Sequence, residues 1–256
     1  MSIPEISCVV PAYENPDLFA RCLSSIADQR DVDIEIIVTD DSRSPVIRDF
    51  MSAPSAITRA ARYQVGPRTG NPVHNWNAGL EQARAPLHLL VHHDEFLVDP
   101  LYLRKAVDAM NRTGAAAARG GVSVIGVDRP SRFGLVEPIA SRLWNARGLL
   151  LLINWIGPTA AFTFRAGPRF DPGLVQLVDV EFYARVLKTG PLVRLAGTSV
   201  GSIGHHDAQI TARIDPTAVA LRELASLASR TPPTISPLSR AVFSAALTLR
   251  SRGGRR

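Results

Sequence analysis

Four dipeptides punctuate the first hundred residues: Asn15-Pro16, Ser44-Pro45, Asn71-Pro72 and Asp99-Pro100. Each follows an apolar run and precedes a stretch with helical spacing. A small polar side chain can accept from the first free N–H groups of a helix, and proline at the first helical position gives up an N–H that would have no partner. The runs before these dipeptides read as strands at Ile6–Val10, Ile34–Val38, Thr58–Val65 and Leu87–Val91. Helices are expected from Asn15 to Asp28, from Ser44, from Asn71 to Arg84, and from Asp99. This alternation implies an α/β fold with a mostly parallel sheet covered by helices on both faces. Ligands in such sheets bind beyond the carboxyl ends of the strands.

The second half is less regular. The small-residue run Gly114–Val124 is expected to end in a strand, Asn154–Arg165 to form a turn and strand, and Leu192–Val200 another strand. Helices are expected at Leu174–Leu187 and Pro216–Arg230. Thr231–Pro237 reads as a linker, and Leu238–Leu249 as a short amphipathic helix.

The formal charge of +6 suggests a polyanion partner, but its distribution argues against nucleic acid. No acidic residue follows Glu223, while Arg230, Arg240, Arg250, Arg252, Arg255 and Arg256 do; without these six, 23 basic residues balance 23 acidic ones. The basicity belongs to the tail, where it is either a solvated end or a peripheral contact with anionic lipid. Cys8 and Cys22 lie on apolar faces and read as small buried residues, without disulfide or zinc spacing. The longest aliphatic run, Leu149–Ile153, is far below the ~20 residues of a spanning helix, and the N-terminus lacks a signal-sequence pattern. The expected location is the cytoplasm, at most peripheral at the inner face of the membrane.

The residues just past each strand carry the chemistry. After the first strand comes Pro11-Ala12-Tyr13-Glu14, after the second Asp40-Asp41, after the fourth His92-His93-Asp94-Glu95. Adjacent carboxylates at a strand end can hold Mg²⁺ or Mn²⁺, which prefer oxygen ligands and are readily shared with substrate phosphates. An Asp-Glu pair alone is more commonly a solvated turn. Asp40-Asp41 can accept from a ribose hydroxyl or a base imide, or simply from turn backbone. Glu181 and Arg185 are four apart and can pair along a helix. Asp179 stands near the start of that helix, where it could act as a general base. His205 and His206 end a glycine-rich segment and can meet a cation or a phosphate. Arg68 lies in a loop between Gly66 and Gly70.

Taken in order, the segments VVPAYEN (Val9–Asn15), VTDDS (Val38–Ser42), NWNAGL (Asn75–Leu80), His93-Asp94-Glu95, NWIGP (Asn154–Pro158), Phe164-Arg165 and the Asp179 helix resemble the family-2 glycosyltransferases with the GT-A fold, over residues 5–210. The resemblance implies a Rossmann-like, mostly parallel sheet with a smaller mixed acceptor-side sheet. It implies a glycosyltransferase domain over 1–230 (nucleotide-binding half 1–113, acceptor and catalytic half 114–230), then a Pro-rich linker and basic tail over 231–256. Pro11, Ala12, Tyr13 and Glu14 would line the nucleotide pocket with Arg68, Asn75 and His93. Asp40, the first acid of its pair, is favoured over Asp41 as the contact to base and ribose. Asp94 and Glu95, with His205 or His206 arriving later, would hold a divalent cation, Mn²⁺ or Mg²⁺, on the donor diphosphate. Asp179 matches the catalytic base of inverting members.

Three departures stand out. The usual Asp-Asp-Gly-Ser reads Asp40-Asp41-Ser42-Arg43, the metal motif ends in Glu95, and two histidines precede Asp94. The resemblance implies an inverting transfer from a nucleoside diphosphate-sugar, UDP- or dTDP- foremost, to a carbohydrate or lipid-linked acceptor in surface polysaccharide or glycolipid synthesis. Trp144, Leu149–Ile153 and Trp155 are apolar enough for a lipid-linked acceptor, though better suited to ordinary core. A non-catalytic nucleotide-sugar binder or assembly protein is the main alternative. A nucleotidylyltransferase would require a glycine-rich loop after the first strand, which Pro11–Asn15 does not provide.

Overall fold

The two asparagines act as the caps their position suggests. Asn15 accepts from Leu18 N at 3.1 Å and opens α1 (Pro16–Ala27), which buries Phe19, Cys22, Leu23 and Ile26 along one face. Asn71 accepts from Val73 N at 3.0 Å and opens α4 (Pro72–Gln82). The computed structural model of the protein describes residues 3–125, 150, 154–203, 215–230 and 244–245. His205, His206, most of the 231–256 tail and most of the stretch from Arg129 to Ile153 lie outside the described residues.

The other two dipeptides behave differently. Ser44 does not cap α2 (Val46–Ser52), whose N-cap is Pro45; its hydroxyl is bound to the Glu14 carboxylate instead. Asp99 accepts from Leu101 N at 3.0 Å and from Lys105 Nζ at 2.6 Å, but α5 (Tyr102–Thr113) begins only after Leu101. The third strand is shorter than expected. Ser55 and Thr58 form a capping box that winds Ala56–Ala60 into α3, leaving β3 as Ala61–Val65.

With β1 (Ile6–Ala12), β2 (Ile34–Asp40), β4 (Leu87–Leu90), β5 (Glu95–Leu97), β6 (Ala117–Ile125), β7 (Phe162–Arg165) and β8 (Leu192–Ile203), the strands form one sheet ordered β3-β2-β1-β4-β7-β6-β8-β5. The first four are parallel, with Ala12 opposite Asp40 and Asp40 opposite Val65. Antiparallel pairing begins at β4–β7 and recurs at β6–β7 and β5–β8. The mixed strands are therefore continuous with the parallel ones rather than the separate, smaller sheet expected from the resemblance. The strand β5, with Glu95 opposite Ser202, is not visible in the sequence, because three residues show no period.

Side chains alternate across the sheet and so divide the core in two. Val9, Ile37 and Leu90 face a cluster that includes Trp76, Phe162, Phe164, Phe182 and Leu224. Cys8, Val10, Ile36 and Val38 face one built on Phe19, Leu23, Tyr102 and Val107. Both cysteines are free and fully buried, as their positions imply. Two further helices are α6 (Val178–Val186) and α7 (Pro216–Ser229). Glycine at 79 lets α4 press onto the sheet, since a Cβ there would overlap Val9 Cγ1.

Candidate active site

The carboxyl ends of β1, β2 and β4 meet at one edge. Tyr13 follows β1 and is 42% exposed, while Pro11 and Ala12 are buried in the strand. Asp41 N donates to Ala12 O at 3.1 Å, which sets Asp41 beside Tyr13. Of the two acids here the outer one is Asp41, which is partly exposed and accepts from Arg68 N at 2.9 Å.

The preference for Asp40 reverses. Asp40 has 0% exposure; its Oδ1 accepts from Ser42 N and its Oδ2 from the Tyr63 hydroxyl, both at 2.8 Å. Burial, together with the Asp40 charge, pushes the Tyr63 phenol up to about 12, so the pair stays a neutral donor on a carboxylate. Asp40 holds the edge together and presents nothing to a ligand.

Glu14 likewise turns inward. At φ 58 it accepts from Arg43 N at 2.7 Å, from Ser44 N at 3.0 Å and from the Ser44 hydroxyl, while its own N–H donates to Ser42 Oγ at 2.8 Å. These bonds, led by that of the Ser44 hydroxyl, lower the Glu14 pKa. The carboxylate stitches the β1 exit to the β2 exit and is not available to a nucleotide. Asn75 is 3% exposed and bonds Thr39 O through Nδ2 at 3.0 Å. A Cβ on Gly66 would overlap both Asn75 Oδ1 and Asp41 Oδ1, so only glycine lets the Arg68 loop close over them. Arg68 itself is exposed and held at φ 52, a left-handed conformation that non-glycine residues adopt at some cost.

At the β4 exit the order is inverted. Asp94 is partly exposed, as is His93, whereas Glu95 is 5% exposed. Glu95 Oε2 accepts from His92 N, Thr159 Oγ1 and Ala160 N, each at 3.0 Å, and its other oxygen faces His92 Nδ1 at 3.6 Å. The Glu95 carboxylate thus points into the fold rather than outward to a metal: it is buried, and Oε2 is taken by three donors of its own chain. Among the described residues no three His, Cys, Asp or Glu side chains are arranged to hold a metal ion, and His205 and His206 lie outside them. Among the described residues the partly exposed Asp94 carboxylate is the candidate that fits a hard cation whose other ligands are phosphate oxygens and water.

The sequence gives His92 no role of its own, and it ties the site together. Its Nδ1 meets Thr159 Oγ1 at 3.1 Å, and its ring lies 4.6 Å from that of Trp76. Its Nε2 is sealed from solvent without a hydrogen-bond partner. Burial opposes its protonation, but the charge and hydrogen bond of Glu95, then Asp179 and Asp94, prevail and push it up to about 9. The partner Thr159 lies 67 residues away, so no local pattern announces the pair.

Asp179 is the second residue of α6 and is partly buried, with Oδ1 sealed and unpartnered. Burial raises its pKa; His92 pulls it down, Glu95 raises it, and the result is about 6. The acid thus couples electrostatically to the β4 exit, though it arrives from a helix 84 positions beyond Glu95. Neighbouring Glu181 is structural, as its spacing implies: Arg185 donates to both of its oxygens at 2.9 Å.

Comparisons with known proteins agree with this geometry. The profile of glycosyl transferase family 2 matches residues 7–169. The chain belongs to that family. An uncharacterized protein of Mycobacterium tuberculosis is 32% identical over 208 residues, covering 72% of this chain and 62% of its own length. The succinoglycan biosynthesis protein ExoO of Rhizobium meliloti is 27% identical over 49% of this chain and 35% of its own. The chain thus spans less than two thirds of either relative. S. aureus TarS 1–349 in complex with UDP-GlcNAc superposes with TM-score 0.67 at 15% identity, covering 95% of this chain and 71% of that one. The mannosyltransferase PcManGT of Pyrobaculum calidifontis, in complex with GDP-Man and Mn²⁺, superposes with TM-score 0.63 at 15% identity, covering 98% and 76%. These neighbours establish the GT-A fold for this family member.

Proposed function

We propose that this glycosyltransferase moves a sugar from a nucleoside diphosphate-sugar to an acceptor hydroxyl with inversion at the anomeric carbon. The observation that carries the reading is Asp179, an unpartnered, partly buried carboxylate with a pKa of about 6. A base poised there is deprotonated at neutral pH yet still basic enough to take a hydroxyl proton. As the acceptor oxygen bonds to the anomeric carbon, its proton passes to Asp179 and the bond from that carbon to the diphosphate breaks.

The base of the donor would lie against exposed Tyr13, with Asp41 accepting from base or ribose and Arg68 above it. Pro11, Ala12 and Asn75 would form the floor. The diphosphate would reach the β4 exit, where Asp94 would hold a divalent cation, with His93 beside it. Such an ion, when bound, neutralises phosphate charge and stabilises the leaving diphosphate. Solved neighbours hold UDP-GlcNAc or GDP-Man, and one relative is named for succinoglycan biosynthesis. These support a nucleotide-sugar donor and a role in surface polysaccharide or glycolipid synthesis; the family resemblance puts UDP- and dTDP-sugars first among the donors to test.

The test is release of nucleoside diphosphate from a panel of UDP-, dTDP- and GDP-sugars, with and without Mn²⁺, alongside thermal shifts of the protein. Release from at least one donor supports the reading. Stabilisation by a donor without any release would favour the non-catalytic binder instead.

A further inference from the structure

We infer that Glu223, on α7, is a positioning residue for Asp179, an inference that rests on the proposed role of Asp179 as base. Helix α6 starts without a cap of its own. Its N-cap is Leu177, and no side chain of the cap accepts from the first turn. The N–H groups at a helix start need partners from elsewhere.

Glu223, 46 residues beyond Leu177, takes the N-cap amide of Leu177 and the two amides before it. Its Oε1 accepts from Val175 N at 2.6 Å and from Gln176 N at 3.2 Å; its Oε2 accepts from Gln176 N at 3.1 Å and from Leu177 N at 2.8 Å. One carboxylate, 7% exposed, therefore grips three consecutive amides directly before the turn that carries Asp179. A negative charge at this end also suits the positive pole of α6.

The same helix holds the segment a second time. Arg230, just past α7, pairs with Asp171, whose Oδ1 accepts from Gly173 N at 2.8 Å. Between the two latches Ala220, Leu224 and Leu227 pack in one cluster with Leu174, Leu177 and Val178. The stretch 171–177 is thus fixed at both ends by α7, and the start of α6 is fixed with it. This helix lies beyond residues 7–169, the part matched by the family profile. Asp179 itself keeps an oxygen without a partner, open to receive a proton.

The experiment compares Glu223→Gln and Glu223→Ala with Val107→Ala, a control in the other core cluster. Each full-length variant is assayed for kcat and donor KM, for melting temperature, and for hydrogen exchange at amides 175–177. With the base helix loosened, kcat falls on the order of 10-fold in Glu223→Gln and 100-fold in Glu223→Ala, while donor KM stays within about twofold. Val107→Ala loses melting temperature but keeps kcat, and the three amides exchange slowly in the wild type and fast in the Glu223 variants. If Glu223→Ala does not fold, Glu223→Gln, which retains one acceptor oxygen, decides. A kcat loss no greater than that of an equally destabilised control, or a loss appearing only in donor KM, overturns the inference. Fast exchange at 175–177 in the wild type overturns the clamp while leaving the transferase reading intact. A wild type that turns over no donor removes the base assignment, and this inference with it.

Discussion

The β2 exit and the β4 exit each carry two adjacent acids, and each keeps one and buries the other, but in opposite order. At β2 the first acid, Asp40, is sealed and the second, Asp41, faces out. At β4 the first, Asp94, is partly exposed and the second, Glu95, is sealed. The difference comes from where strands end. β2 continues through Asp40, whose neighbours on both sides are strands, so its side chain enters the core and needs Tyr63 and Ser42 to satisfy it. β4 stops at Leu90, and Glu95 begins the next strand, so it is the later acid that enters the core and meets Thr159 and Ala160. Each acidic pair therefore has one outward acid and one brace, and strand boundaries decide which is which.

That contrast can be broken by substitution. The largest effect is expected at Asp94: Asp94→Asn should lower turnover on the order of 10³-fold and abolish stimulation by Mn²⁺, since several kcal/mol of charge stabilisation would be lost. Glu95→Gln should instead show itself in stability, by about 3 kcal/mol in denaturant titration, because it disturbs a buried charged network. Metal-dependent turnover lost equally in both would erase the distinction. At the other exit Asp41→Asn should raise donor KM about tenfold, the worth of one charge-assisted hydrogen bond. Tyr63→Phe, which removes only a donor to Asp40, should cost about 1–2 kcal/mol of stability and leave donor KM unchanged.

The pH dependence sharpens the same picture. Asp179 must be deprotonated to act, so kcat should fall as pH drops through about 6. The raised pKa has a second consequence. A carboxyl that binds its proton more tightly folded than unfolded favours the fold below the unfolded pKa, and that contribution is lost as pH rises through the folded one. At neutral pH the charged Asp179 is therefore a strain on the fold, and Asp179→Asn should raise stability by about 1–2 kcal/mol near pH 7.

How much of the fold and site is legible in the sequence depends on the distance between partners. Asn15 and Asn71 cap residues two or three positions away, and both helices begin where the sequence places them. The parallel half of the sheet is equally plain, because buried strands are continuous apolar runs. Ser44 misleads because its partner, Glu14, lies 30 residues back and outcompetes the local cap. Asp40 and Glu95 mislead for a related reason: Tyr63 is 23 residues away and Thr159 is 64. His92 and Glu223 are invisible in the chain, since one acquires its role from Thr159 and Trp76 and the other from amides 46 to 48 residues earlier. Asp179, by contrast, is picked out both by its place near the helix start and by the family pattern, while its raised pKa is a property of the packed site.

The most direct measurement is a paired one on Asp179→Asn: donor affinity by calorimetry, and sugar transfer measured by nucleoside diphosphate release. With Asp179 as the base, donor affinity stays unchanged while transfer drops on the order of 10³-fold, the scale of a lost general base. Transfer at the wild-type rate in Asp179→Asn would contradict that role.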